Sequence, residues 1–168
     1  EYLADFYTDT AKHAFSMQIY LLNRRFQQHQ EIIWKGGGAV QDRTIYEDSK
    51  IFAKNLYEMG HLKERDYNTY NDLFIIMTSY LKKPDLIIYL KASTDTLLTR
   101  IHSRGREYEN SIRLDYLTRL NERYEAWVGD YAKGKLLVIE VDDINFAEDD
   151  EDLSKIIEKI DAEINGLF

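Results

Sequence analysis

The sequence predicts an α/β fold, a mostly parallel sheet flanked by helices. Residues 85–90 (Asp-Leu-Ile-Ile-Tyr-Leu) and 136–141 (Leu-Leu-Val-Ile-Glu-Val) are nearly continuous apolar runs of strand length, the pattern of strands covered on both faces. A third, shorter apolar segment follows Gly36-Gly37-Gly38 and leads into Gln41-Asp42-Arg43. Between these runs lie long stretches with apolar residues at helical spacing, and strands alternating with helices specify parallel architecture. Three strands is few for 168 residues.

Taken in order, residues 1–7 already read as the interior of a domain. A long helix is expected from Thr8 or Asp9 to about Gln30, with Ala14, Met17, Gln18, Leu21, Leu22, Arg25 and Phe26 close to one stripe. Gln18 and Arg25 are seven apart and share a helical face, a polar pair on an otherwise apolar surface; a solvated helix edge and a ligand contact both explain it. The segment after the glycines is expected to be a buried strand that delivers Asp42-Arg43 to its C-terminal edge, where ligand chemistry sits in open parallel sheets. The plainer reading of that dipeptide is a surface ion pair. Thr44 or an adjacent polar residue is placed to cap a helix over residues 45–58, in which Asp48 and Phe52 turn toward whatever Asp42 and Arg43 touch. Gly60 ends it.

Residues 66–82 form another amphipathic pattern, closed by Pro84, the single proline. After the strand at 85–90, Ser93 reads as an N-cap for a helix through Leu97, Leu98 and Ile101, which ends in Arg100, Arg104, Gly105 and Arg106. Like charges at i, i+4 cost a few tenths of a kcal/mol on an isolated helix. Three converging guanidiniums become useful when a polyphosphate supplies the counter-charge, although a basic edge at a helix C-terminus is also favourable by itself. A helix over 114–128, the strand at 136–141, a loop at 142–146 and an acidic helix start before 153–164 complete the chain.

Length allows one domain spanning residues 1–168 with a continuous core. The net charge of −8 argues against general nucleic-acid binding, which needs clustered Lys and Arg. There is no Cys, hence no disulfide framework and no thiol chemistry. The four His lack metal-ligand spacing, and no apolar run approaches a membrane span. A soluble, cytoplasmic protein with no membrane partner is the expectation. Thirteen Tyr and seven Phe supply core area and rings able to clamp a flat ligand.

The run from Gly36 through Asp42-Arg43-Thr44-Ile45-Tyr46-Glu47-Asp48, followed by Ile51-Phe52-Ala53-Lys54 and later by Arg104-Gly105-Arg106-Glu107, resembles the deoxyribonucleoside kinases. It is most similar to their bacterial deoxyadenosine/deoxycytidine branch, and the resemblance covers essentially the whole chain. It implies a three-layer α/β fold of the P-loop-kinase kind with the N-terminal strands missing from this chain. It also implies transfer of the ATP γ-phosphoryl group to the 5'-hydroxyl of a deoxynucleoside, with Mg2+ as cofactor. Deoxyadenosine is expected ahead of deoxycytidine or deoxyguanosine, in nucleotide salvage.

The resemblance assigns roles position by position. Gln18 would hydrogen-bond the base, Arg25 with Asp48 would engage its edge, and Met17 and Phe52 would enclose it. Tyr7 and Glu109 would hold the sugar 3'-hydroxyl with Tyr116 in support. Arg43 would stand beside the 5'-hydroxyl and the transferring group, and Asp42 would associate with magnesium. Arg100, Arg104 and Arg106 would meet the donor phosphates, and Asn145 and Phe146 the donor adenine. A homodimer through the long first helix and the helix after Asp42 is also implied. Phosphoryl transfer needs charge neutralisation and alignment more than covalent chemistry, which suits these residue types.

No Gly-x-x-x-x-Gly-Lys-Ser/Thr phosphate loop occurs in the sequence, and Gly36-Gly37-Gly38 cannot replace it without a following Lys-Ser/Thr. The expectation is an N-terminally truncated chain, inactive by itself. Two other readings stand beside this one: a thymidylate or other nucleoside-monophosphate kinase, and a catalytically inactive nucleoside-binding or interaction subunit on the same scaffold.

Overall fold

The computed structural model describes residues 2–106, 112–131 and 134–166, which divide into two units, Glu1–Lys82 with Ser111–Trp127, and Lys83–Asn110 with Val128–Phe168. The first is helical. Helix α1 (Tyr2–Thr8) leads into the long α2 (Thr10–Lys35), with Asp9 as N-cap accepting from the Lys12 N–H at 3.1 Å. Helix α2 runs five residues past the expected Gln30, because nothing breaks it before Gly36, where φ turns to 64°.

The strand expected after the glycines is not formed. Residues 39–41 are irregular and Val40 is 96% exposed. Two apolar residues are too few to drive burial, and the only strands among the described residues lie in the other unit. The helix expected over 45–58 is present as a continuous run: α3 (Ile45–Glu47), a π-helical turn (Asp48–Ala53) and α4 (Lys54–Glu58). Thr44 caps it as expected, in a capping box: its hydroxyl accepts from the Tyr46 N–H at 3.1 Å, and Glu47 Oε2 accepts from the Thr44 N–H at 2.9 Å. Helix α5 (Glu64–Ser79) starts and stops slightly earlier than its pattern suggested.

Two apolar clusters hold this unit. Leu22, Ile45, Ala53, Tyr70, Phe74 and Leu81 join α2, the run after Thr44 and α5. Phe6, Ala14, Met17, Leu56 and Leu62 join α1, α2 and α4.

The second unit carries β1 (Leu86–Lys91) and α6 (Thr94–Arg104); α7 (Leu114–Gly129) belongs almost wholly to the first unit, and the chain then returns to the second with β2 (Lys135–Glu140). The strands pair in parallel, Leu86 opposite Lys135 through Lys91 opposite Glu140. Helix α8 (Asp150–Asn165) follows. This is the expected parallel sheet flanked by helices, but with two strands rather than three. Leu90 and Val138 stay exposed, so coverage on both faces is not met within this unit; its core is Ala92, Ile139, Val141 and Ile156. Ser93 caps α6, accepting from the Thr96 N–H at 3.2 Å, and Asp149 caps α8. Among the described residues, no helix is long and apolar enough to cross a membrane.

Candidate nucleoside and phosphate site

The polar pair on the long helix is buried. Gln18 is 3% exposed, and its Oε1 has no hydrogen-bond partner among the described residues. Two turns on, Arg25 bridges three segments. Its Nη1 donates to the Gln28 Oε1 at 3.2 Å and to the Asp42 carbonyl at 2.9 Å, and its Nε lies 3.4 Å from Asp48 Oδ2. That last approach is an ion pair without hydrogen-bond geometry, since both atoms lack a formal hydrogen bond.

Asp48 is 1% exposed. Burial lifts its carboxyl above the usual range, while the Arg25 and Arg43 guanidiniums pull it back. The residue opens the π-helical turn, which also buries Ser49, whose Oγ is another orphan. π-Turns inside helices occur frequently at functional sites. Unsatisfied polar atoms deep in a core are rare and costly. Gln18 Oε1 and Ser49 Oγ are two such atoms in this unit, and the Arg25–Asp48 pair beside them in sequence is held by charge without good hydrogen-bond geometry.

Arg43 is the one described non-glycine residue with positive φ, at 59°, a conformation that costs free energy and concentrates at functional sites. Its guanidinium lies over the Phe52 ring, 4.8 Å from the centroid. Tyr124 meets the same ring edge-on, at 6.2 Å and 82°. Burial raises the Tyr116 hydroxyl to about 12, with Tyr7 adding to the rise and Arg43 opposing it. Tyr124 also rises to about 12 through burial, against the pull of Arg43. Arg43, Phe52, Tyr7, Tyr116 and Tyr124 therefore face one neighbourhood. Met17 is packed in the α1–α2 core. Asp42 is exposed, and Glu109 lies outside the described residues.

Sequence reasoning missed three residues here. Tyr124 reads as one more apolar member of its helix. Ser49 stands beside Asp48, but only the π-turn buries it. Arg123 ties α7 to α4, its Nε donating to Asn55 Oδ1 at 3.1 Å and its Nη atoms pairing with Glu58.

The phosphate-type arginines belong to the second unit. Arg100 Nη2 donates to the carbonyls of Val141 at 2.6 Å and Ile144 at 3.0 Å, so it braces the loop that carries Asn145 and Phe146. Arg104 and Arg106 are exposed on either side of Gly105, which closes α6 in the left-handed conformation at φ 63°. The Asn145 N–H donates to Asp152 Oδ2 at 3.0 Å and its Nδ2 to Glu148 Oε2 at 2.9 Å. Phe146 packs against the Ile139 and Val141 core.

Among the described residues, no cluster of three or more His, Asp or Glu is built to hold a metal. Asp42 offers one exposed carboxylate. That fits magnesium, which keeps several waters and is usually held by one or two carboxylates together with substrate phosphates.

Comparisons with known proteins identify the family. The deoxynucleoside kinase family profile matches residues 1–165. The deoxyadenosine kinase of Dictyostelium discoideum is 48% identical over 158 residues, covering 93% of this chain and 62% of the relative. The deoxyadenosine/deoxycytidine kinase of Bacillus subtilis is 37% identical, covering 98% of this chain and 76% of the relative. Among solved structures, a deoxyadenosine kinase from M. mycoides with bound dATP superimposes with a TM-score of 0.81 at 31% identity, over 96% of this chain and 81% of the other. The chain thus spans about three-fifths to four-fifths of the length of these relatives.

Proposed function

The chain belongs to the deoxynucleoside kinase family, and from that premise we propose that the protein transfers the γ-phosphoryl group of ATP to the 5'-hydroxyl of a deoxynucleoside, deoxyadenosine ahead of deoxycytidine or deoxyguanosine. The observation that carries this reading is the buried polar set around Gln18, Arg25 and Asp48. A carboxylate acceptor beside a guanidinium donor complements bases that present an exocyclic amino group next to a ring acceptor. Thymine, which presents a carbonyl there, would meet the carboxylate lone pairs. The names of the two relatives, both of which include deoxyadenosine, support the same order.

Phe52 is proposed to stack on the base, while Tyr7, Tyr116 and Glu109 hold the sugar. Phosphoryl transfer then requires the 5'-oxygen in line with the γ-phosphorus: the new O–P bond forms as the bond to the ADP oxygen breaks, ADP departs with that bond's electron pair, and the hydroxyl proton passes to water. Arg43 is proposed to stabilise the charge that spreads over the transferring oxygens. Arg104 and Arg106 would neutralise the donor phosphates, with Arg100 bracing the loop in which Asn145 and Phe146 approach the donor adenine. Asp42 would hold a magnesium ion, whose contribution when bound with the phosphates is to screen their charge.

The test is turnover by the intact protein with ATP and magnesium on each of the four deoxynucleosides, the 5'-monophosphate being quantified by chromatography. Preferred phosphorylation of deoxyadenosine is expected. Thymidine as the best substrate would reverse the base assignment, and a nucleoside monophosphate as the sole acceptor would replace the reading with a monophosphate kinase.

A further inference from the structure

Tyr70, on α5, is fully buried, at 0% exposure, yet its hydroxyl has no hydrogen-bond partner among the described residues. Its ring packs with Leu22, which lies one turn from both Gln18 and Arg25, and with Ile45 and Ala53, which bracket Asp48. The same cluster thus joins Tyr70 to the segments that carry Gln18, Arg25 and Asp48, and the Asp48 carboxylate is close enough to act on its phenol. A phenylalanine would fill this place without burying an unpaired oxygen, so packing alone does not account for a tyrosine.

Resting on the base-site reading above, we propose that Tyr70 is a positioning residue for base selection: once the base is bound, its hydroxyl donates to Asp48, directly or across one water, and holds the carboxylate with an acceptor oxygen turned to the amino group of the base. Burial is the main influence holding the phenol above its ordinary pKa, with the Asp48 carboxylate adding to the rise, so it stays protonated and remains a donor throughout the working range. A bridging water is nearly as good enthalpically as a direct contact.

The experiment compares wild type with Tyr70→Phe in the intact protein. It measures the melting temperature without ligand, and KM and kcat for deoxyadenosine and thymidine. Because the hydroxyl has no partner among the described residues, the ligand-free melting temperature is expected to hold or rise. With the base engaged, losing a hydrogen bond to a charged group is expected to raise the deoxyadenosine KM roughly tenfold, while kcat changes by no more than about twofold. Selectivity over thymidine should fall in step. A lower melting temperature with equal losses for both nucleosides would mean a packing role and would overturn the proposal. So would unchanged selectivity in a protein whose wild type does discriminate, and that outcome leaves the base-site reading standing. A wild type that binds no deoxynucleoside ends both.

Discussion

The two units treat buried polarity in opposite ways. In the first, the buried Gln18 Oε1, Ser49 Oγ and Tyr70 OH have no hydrogen-bond partner among the described residues, Arg25 Nε and Asp48 Oδ2 meet as an ion pair at 3.4 Å, and Arg43 holds a left-handed backbone. In the second, no described buried side-chain atom is left unpaired. Ser93 and Asp149 cap their helices, Asp142 accepts from the Ser93 N–H at 2.8 Å, and Arg100 is tied to two carbonyls. Unsatisfied groups cost stability and a folded chain tolerates them where a partner is expected. The proposed recognition residues thus lie in the unit with unmet polar atoms, while the second unit is conventionally satisfied and presents the exposed Arg104 and Arg106.

The largest effect expected from this contrast is at Arg43. Arg43→Ala should lower kcat by roughly a hundredfold or more, in the range seen when one transition-state donor is removed. Nucleoside affinity, read by calorimetry, should change little. Gln18→Ala should do the reverse, raising KM with kcat nearly kept. Equal losses of affinity in both variants would erase the division of labour.

Asp48→Asn comes next, with an expected tenfold to hundredfold loss (~10–100) in kcat/KM for deoxyadenosine. It also has a pH signature. Burial lifts the Asp48 carboxyl above its unfolded value, so the native state favours the protonated form. The stability this contributes is complete below the ordinary carboxylate range and is lost as pH rises through the lifted value. The melting temperature of the variant minus that of wild type should therefore grow more positive from acid to neutral pH. A flat difference would mean that Arg25 compensates the buried charge fully.

The tie between α7 and α4 sharpens the comparison at a smaller scale. Arg123→Ala leaves the fully buried Asn55 Oδ1 without its donor and should cost about 1–3 kcal/mol in denaturant unfolding. The Glu58 carboxyl is held below its usual value chiefly by its hydrogen bond to Arg123. Its contribution is present above the ordinary range and is lost as pH falls through the lowered value, so the variant should also lose part of the wild-type sensitivity to acid.

Much of this was legible in the chain. Helical spacing located the run over residues 45–58, Thr44 announced its cap, and the apolar runs at 85–90 and 136–141 located both strands to within a residue. The pairing of Arg25 with Asp48 followed from a family resemblance and is present at 3.4 Å. What stayed hidden depends on tertiary context. Periodicity at 3.6 residues has no signature for the π-turn that buries Ser49. An apolar stretch as short as Ala39-Val40 reads as a strand only if neighbours exist to take its backbone groups. Tyr70 and Tyr124 look like core aromatics until the surroundings of their hydroxyls are known.

The smallest effect belongs to the satisfied unit. Asp149→Ala, which removes the α8 cap, should cost about 1 kcal/mol of stability and leave deoxynucleoside affinity unaltered. A fall in affinity would show that the scaffold is not separable from recognition.

The most direct measurement is a crystal structure of the intact protein with deoxyadenosine. The base edge should lie within hydrogen-bond reach of Gln18 and the Arg25–Asp48 pair, with the ring over Phe52 and the 5'-oxygen toward Arg43. A groove of about 450 Å³ is lined by Arg25, Gln28, Ile32, Lys35, Gln41 and Asp42 and not by Gln18 or Asp48. Deoxyadenosine seated there, with Gln18 and Asp48 still unpartnered, would contradict the account.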